Sequence, residues 1–261
     1  MDVWKITGWE ITGRSANGYV NAPPRTKKRP CAGKIPPTER DKFPGPEFHP
    51  PNMKPTVLLA LLVLPSALGL AGQGTDLKPI LATPAKVTAE DTFTGTALAK
   101  TWSTAKGDWQ PRDGTLVGKE KPEDKHAAVC ALNVPNHDSI IRFSFKLDGA
   151  RGLSLSYNHP KGHLFRVNVT PTAVTVATDK DKNDPNSKAE PIGKAETKFE
   201  PGQWYTMQVE VKGQKVAVQT DSGVKIEGSN PALDVDKTGY RFVTTGESLV
   251  LANVKAWDVV P

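Results

Sequence analysis

The chain has 261 residues, 37% of them hydrophobic and 24% charged, with a formal net charge of +6. Two cysteines exclude a disulfide scaffold, and the length suffices to bury a core without one. A basic balance suggests nucleic acid or an anionic surface as partner only if the excess charge lies on the folded part.

It does not lie there. Residues 1–52 hold nine prolines and the basic run Arg25-Thr-Lys-Lys-Arg29, with nine basic against five acidic side chains. Apolar residues are sparse and follow no period, so this leader cannot bury enough surface to offset its ordering entropy, and disorder is expected. The basic run would read as a nucleic-acid patch or a localisation signal, but the next segment contradicts that address. Met53–Ala71, MKPTVLLALLVLPSALGLA, has the order of a secretory signal peptide. A short basic start precedes the apolar run Val57–Val63, Pro65 and Ser66 break it, and Gly69 and Ala71 are small where a peptidase would cut. A membrane anchor and a buried helix are the competing readings, yet the apolar run is short of the ~20 residues a spanning helix needs. Met53 then reads as the initiator. Beyond the cut the net charge is +1, which argues against nucleic acid as partner and leaves no stable membrane span.

Residues 72–89 read as a linker and 90–261 as one domain. From Asp91 onward, short segments alternate apolar and polar residues with period two, broken by Gly, Pro, Asn and Asp. Ile141, Phe143, Phe145 and Leu147 alternate with Arg142, Ser144 and Lys146. Leu153, Leu155 and Tyr157 alternate with Ser154 and Ser156, and Phe165, Val167 and Val169 with Arg166 and Asn168. Tyr205, Met207, Val209 and Val211 alternate with Thr206, Gln208 and Glu210. Further strands are expected at 173–178, 215–220, 224–227, 240–244 and 249–259, and no window keeps a helical stripe. The fold class is therefore all-β, a two-sheet antiparallel jelly-roll sandwich. Arg142, Ser154, Ser156, Arg166 and Asn168 fall on faces opposite the apolar ones and are the candidate carbohydrate contacts, a simply solvated face being the alternative. Cys130, in the apolar run 127–132, is expected to be buried and inert.

Several motifs recur in one order: Asp91-Thr-Phe93, Trp102, Gly107-Asp-Trp109, Asp113-Gly114-Thr-Leu116-Val-Gly118, Asp124-Lys-His126, Lys161-Gly-His163-Leu-Phe-Arg166, Pro201-Gly-Gln-Trp204-Tyr205 and Leu251–Trp257. Together they resemble the 3-keto-disaccharide hydrolase-like family, concanavalin A-like jelly rolls abundant in exported proteins of planctomycete-type bacteria. The resemblance spans nearly all of Glu90–Val259 and implies a carbohydrate ligand and cleavage of glycosidic linkages.

Hydrolysis of an ordinary glycoside needs two carboxylates flanking the bond, about 5–9 Å apart. The Glu-x-Asp-x-x-Glu strand of laminarinase-type jelly rolls is absent. Asp91, Glu120, Asp148, Glu210 and Glu247 are scattered, and nothing in the sequence pairs them. A 3-keto sugar offers another route, because its ketone acidifies the neighbouring C–H. A histidine could remove that proton while an arginine or a metal stabilises the enolate. His126, His163 and Glu247 are the catalytic candidates, with Arg166 beside them. The competing reading of His163 is a hydrogen-bonded histidine at a strand start, since it shares parity with Phe165 and Val167. His137 and His159 lie in turns and are expected to be solvated.

Asp179, Asp181, Asn183 and Glu190 reproduce calcium-loop spacing, although Asp184 stands where glycine is needed, and a charge-balanced hairpin explains the same residues. Of Trp102, Trp109, Trp204 and Trp257, at most one is expected at the surface for sugar stacking. Two function classes follow: an exported enzyme acting on glycosidic linkages, or a non-catalytic carbohydrate-binding or adhesion module. A structural envelope protein is the third. Amino-terminal sequencing of the exported protein should begin near Gly72; a mature chain retaining Met1 would exclude the signal-peptide reading.

Overall fold

Alternating strands with one apolar face bury it only by packing two sheets together. That arrangement is found in the computed structural model, which describes residues 75–260. The leader, the signal-like segment and residues 72–74 lie outside the described residues.

The first sheet runs, in spatial order, β13 (Lys225–Ser229), β12 (Lys215–Thr220), β11 (Trp204–Lys212), β6 (Ser139–Leu147), β15 (Leu249–Val259), β4 (Thr115–Lys119) and β3 (Asp108–Arg112). β1 (Pro84–Asp91) pairs with the downstream half of β15. The second sheet runs β10 (Pro191–Glu196), β9 (Ala173–Thr178), β8 (Gly162–Thr170), β7 (Ala150–His159), β14 (Gly239–Gly246), β5 (Ala128–Leu132) and β2 (Trp102–Lys106). Each strand pairing is antiparallel. Among the described residues no helix is long and apolar enough to cross a membrane.

Between the sheets lie the residues that the alternation assigned to the interior. Ile141, Phe143, Phe145, Met207 and Val209 of the first sheet face Leu155, Tyr157, Phe165, Val167 and Phe242 of the second, all fully buried. Phe143 meets Phe242 edge-to-face across the two sheets, with ring centroids 5.1 Å apart. Tyr157 stacks on Phe165 at 4.3 Å and meets Tyr240 edge-on at 5.2 Å. Cys130 is fully buried on β5, and desolvation pushes its thiol up to about 12.

Several motif residues are fold determinants. Asp91 accepts the Phe93 N–H at 2.8 Å and the Trp102 indole N–H at 2.9 Å, so one carboxylate ties β1 to the start of β2. Gly107, at φ +77°, donates its N–H to Asp124 at 2.6 Å. The Trp109 ring lies over Gly118, where an added Cβ would fall 2.3 Å from it. Gly118 is small because the indole needs that space.

Residues 75–89, read from the sequence as linker, belong to the sandwich. β1 completes the first sheet, and residues 75–82 cross its outer face as a strap. Glu210, fully buried, accepts the backbone N–H groups of Ile80 (2.8 and 3.0 Å), Leu81 (2.8 Å) and Ala82 (3.1 Å). Gln208 donates to the same carboxylate at 2.9 Å. Arg142 donates to Asp76 and to the Leu77 carbonyl at 2.6 Å each, and Gln219 donates to the Lys78 carbonyl at 2.6 Å. The sequence could not show this, because a polar segment bound mainly through its backbone carries no side-chain period. Replacing Glu210 with Ala should cost about 3 kcal/mol, since hydrogen bonds to a buried charge are worth roughly 1.5–3 kcal/mol. Denaturant unfolding reads the loss, and amide exchange should accelerate at Ile80, Leu81 and Ala82; unchanged exchange there would refute the clamp.

Candidate functional site

Two outer faces remain for chemistry, and the strap covers part of the first. On that face a cleft of about 700 Å³ lies beside the strap, lined by Asp76, Glu90, Asp91, Arg142, Lys255 and Trp257 among others. Its polar groups are largely engaged. Arg142 holds Asp76, Leu77 and Gln208, while Lys255 pairs with Glu90 at 3.0 Å. Trp257 has the Arg142 guanidinium 5.4 Å and the Lys255 ammonium 5.5 Å from its ring centre, and Trp204 has Lys146 at 5.5 Å. Trp204 and Trp257 are half-buried, with cations over both rings, and none of the four tryptophans is exposed. Trp102 and Trp109 are core.

The outer face of the second sheet carries the other four predicted sugar contacts. The strand register places Arg241 of β14, Ser156 of β7 and Arg166 of β8 in one row. Strands lie about 4.8 Å apart, so the two arginine backbones stand about 10 Å apart across Ser156. The next row holds Val243, Ser154 and Asn168, and Ser154 donates to Asn168 at 2.5 Å. Arg142 does not join them. It projects from β6 on the opposite side of the molecule, in the network that holds the strap.

His163 reaches this face because the β7–β8 register shifts between Tyr157 and Asn158. Leu164 is the extra residue of that bulge, so His163 pairs opposite Asn158 and shares its face. The parity that aligned His163 with core Phe165 and Val167 is reset by the bulge. Its Nδ1 lies 3.0 Å from the Asn158 amide, whose far side lies 3.0 and 3.3 Å from Arg241 Nε and Nη1. Burial lowers the His163 pKa, and the positive charge of Arg166 lowers it further. Arg166 Nε lies 2.9 Å from the Asp179 carboxylate. Together these groups favour the neutral form of the imidazole.

Other predicted residues fall elsewhere. His126 and Glu247 line an end cleft of about 820 Å³, with Glu120, Lys119 and Arg151. His126 is exposed, its Nδ1 2.7 Å from the Ala127 carbonyl. Glu120 accepts the Gly246 N–H at 2.6 Å and Arg151 at 3.1 Å, so it serves the loop junction. Arg151 borders both this cleft and the recess over Ser154 and Asn168. From Asn158 to Gly152 the outer face of β7 runs about 20 Å, a polar track ending toward the His126 and Glu247 cleft. Asp91 and Glu210 are spent on the fold.

The calcium candidates do not converge on one ion. Asp179 is paired with Arg166, Asp181 accepts the Asn183 N–H at 2.8 Å in a turn, and Glu190 accepts from Asn230 at 2.7 Å. Among the described residues no group of three or more His, Cys, Asp or Glu side chains is placed to hold a metal. Asp179, Asp181 and Glu190 instead line a recess of about 290 Å³ beside His163.

Arg241 and Asn158 were missed in the sequence. Arg241 occupies the polar phase between Tyr240 and Phe242, the signal that selected Arg142, but sequence cannot tell which polar phases share a sheet. His137, expected to be merely solvated, sits between Asp236 at 2.8 Å and Asp234 at 3.1 Å, and those hydrogen bonds raise its pKa. His163 should therefore titrate below the ordinary 6.5 and His137 above it, in a proton-detected NMR titration. The stability terms have opposite signs. The His163 term is complete above 6.5 and falls as pH drops through its folded pKa. The His137 term is complete below 6.5 and is lost as pH rises through its folded pKa. Titration in the reverse order would overturn both assignments.

The model of one family, described as the 3-keto-alpha-glucoside-1,2-lyase-like domain, matches residues 88–241, more than half of the chain. No curated protein matches. Similar solved structures include porphyranase B from Zobellia galactanivorans, at 13% identity and a TM-score of 0.51 over 66% of this chain and 91% of that one. The CBM2 module of the evolved Dit of Lactobacillus casei BL23 phage J-1 is 8% identical, with a TM-score of 0.52 over 69% of this chain and 99% of that one. SCLam, a non-specific endo-β-1,3(4)-glucanase of family GH16, is 11% identical, with a TM-score of 0.51 over 69% of this chain and 95% of that one. At such identities the likeness is one of fold, and enzymes and a binding module share it.

Proposed function

The chain belongs to the 3-keto-alpha-glucoside-1,2-lyase-like domain family, and from that membership we propose that it binds carbohydrate on the outer face of its second sheet and cleaves the glycosidic linkage of 3-keto sugars. One observation carries the reading: a half-buried His163, its pKa lowered by burial and by Arg166, is joined through Asn158 to Arg241. A 3-keto glycoside needs no carboxylate pair across its bond. Loss of the C2 proton to a base places negative charge on the C3 oxygen as an enolate. The electron pair then forms the C1–C2 double bond, the C1–O bond breaks, and the departing alkoxide takes up a proton. Donors and positive charge at the C3 oxygen supply most of what this sequence needs. The Ser154, Ser156 and Asn168 track supplies hydrogen-bonding partners for hydroxyls of the remaining sugar.

The site lies outside the cytoplasm on the strength of the Met53–Ala71 pattern, and the near-neutral charge beyond it favours sugar over nucleic acid. A source in planctomycete-type bacteria rests on the motif resemblance. The second reading, a non-catalytic carbohydrate-binding module, is favoured by the Arg166–Asp179 pairing, which neutralises part of the patch.

Turnover of 3-keto disaccharides and of their unoxidised parents separates the two. The enzyme reading expects turnover of the keto sugars alone, reduced about 10²–10³-fold in His163→Ala with the fold intact by circular dichroism. Saturable binding without turnover across the panel would establish the binding module instead.

A further inference from the structure

An asparagine amide has two different ends, and arginine can be hydrogen-bonded by only one of them. The guanidinium has donors and no acceptor, so the Asn158 end facing Arg241, at 3.0 Å from Nε and 3.3 Å from Nη1, is the amide oxygen. The NH2 end then faces the opposite way. Its two hydrogens meet two acceptors, the Tyr157 carbonyl at 3.2 Å and His163 Nδ1 at 3.0 Å. Ser156 Oγ, 3.4 Å from the same end, is a further and longer contact, and its hydroxyl can accept there. Reversing the amide would set donor against donor at Arg241, and the half-buried guanidinium would lose its acceptor.

The consequence reaches the imidazole. A neutral histidine has one N–H and one bare nitrogen, and a nitrogen that accepts from Asn158 must be the bare one. We infer that Arg241, acting through Asn158, fixes His163 as the Nε2–H tautomer, so that His163 donates a hydrogen bond to a ligand oxygen and does not accept its proton. Arg241 is thus a positioning residue for His163. Nε2 has no protein partner among the described residues, and His163 lines the recess that also holds Asp179 and Asp181. Burial and the Arg166 charge work in the same direction by keeping the ring uncharged. A neutral imidazole donor is suited to polarising a ketone, because the ring remains a donor as negative charge develops on the oxygen.

The role in turnover rests on the 3-keto sugar reading, whereas the tautomer does not. It assigns the proton-accepting step to a different group, for which the recess offers the carboxylates of Asp179 and Asp181. The arrangement also explains why a histidine placed among cations is useful: it supplies a directional donor where a third cation would be expelled.

The tautomer is read directly from long-range proton–nitrogen correlations of the His163 ring at neutral pH, in the full folded protein without ligand. The expected spectrum has the proton on Nε2. Asn158→Asp presents only acceptors, to Arg241 on one side and to His163 on the other, and should move the proton to Nδ1. Arg241→Met frees the amide to turn and should give a mixture of tautomers. A wild-type spectrum with the proton on Nδ1, or Asn158→Asp and Arg241→Met spectra indistinguishable from wild type, would overturn the inference. Turnover gives a separate arm: His163→Gln keeps an N–H donor and should stay within about tenfold of wild type, while His163→Ala loses ~10²-fold or more. Equal loss in both variants would overturn the donor role, and full activity in both would overturn the functional reading while leaving the tautomer result standing.

Discussion

Three consecutive backbone N–H groups, of Ile80, Leu81 and Ala82, converge on the buried carboxylate of Glu210. A charge so placed is tolerable only because each oxygen is hydrogen-bonded, and the donors come from a chain segment that is not itself a strand. The arrangement therefore needs the strap, and the strap needs the polar row Arg142, Gln208, Glu210 and Gln219 beneath it. A sandwich has two outer faces, and this one spends much of the first on its own chain. The second face is left with two arginines, a histidine and a row of small polar side chains. The location of the candidate site thus follows from where the N-terminal part of the domain is fastened.

The period-two pattern told much of the fold, because each buried strand face must be apolar whatever its neighbours. It assigned Ile141, Phe143, Leu155 and Val167 to the interior without knowledge of pairing, and all four are fully buried. It could not distinguish the two exteriors. Arg142 and Arg166 have the same local signature, yet one holds the strap and the other pairs with Asp179 on the opposite sheet, since sheet membership depends on long-range topology. Parity also fails where a bulge intervenes: Leu164 resets the count, and His163 moves from the apparent core side to the outer face. The strap was invisible because its contacts are backbone contacts, and the carboxylates were misleading for a related reason. Asp91, Glu120 and Glu210 look like free acids in sequence, but each is engaged by N–H groups of the fold, Glu120 and Glu210 by ones distant in the chain.

The same fold carries endoglycanases and binding modules, so the sandwich alone does not choose between turnover and adhesion. What distinguishes the second face is electrostatic. A solvated surface of serine and asparagine would suit any neutral glycan. Arg166 and Arg241 on either side of Ser156, with His163 beside them, add cationic donors that the proposed elimination would use. The carboxylates beside His163 are already engaged, Asp179 by Arg166, Asp181 by a turn N–H and Glu190 by Asn230.

The strap has a mechanical consequence. Tension applied to the chain ahead of Thr75 is delivered first to the contacts of Thr75, Asp76 and Leu77 with Thr206 and Arg142, then to the Glu210 clamp, and only afterwards to the β1–β15 ladder. A domain held by its amino-terminal end would thus peel from that end while its core strands stay paired. The second sheet, on the far side of the core, would keep its register under that load.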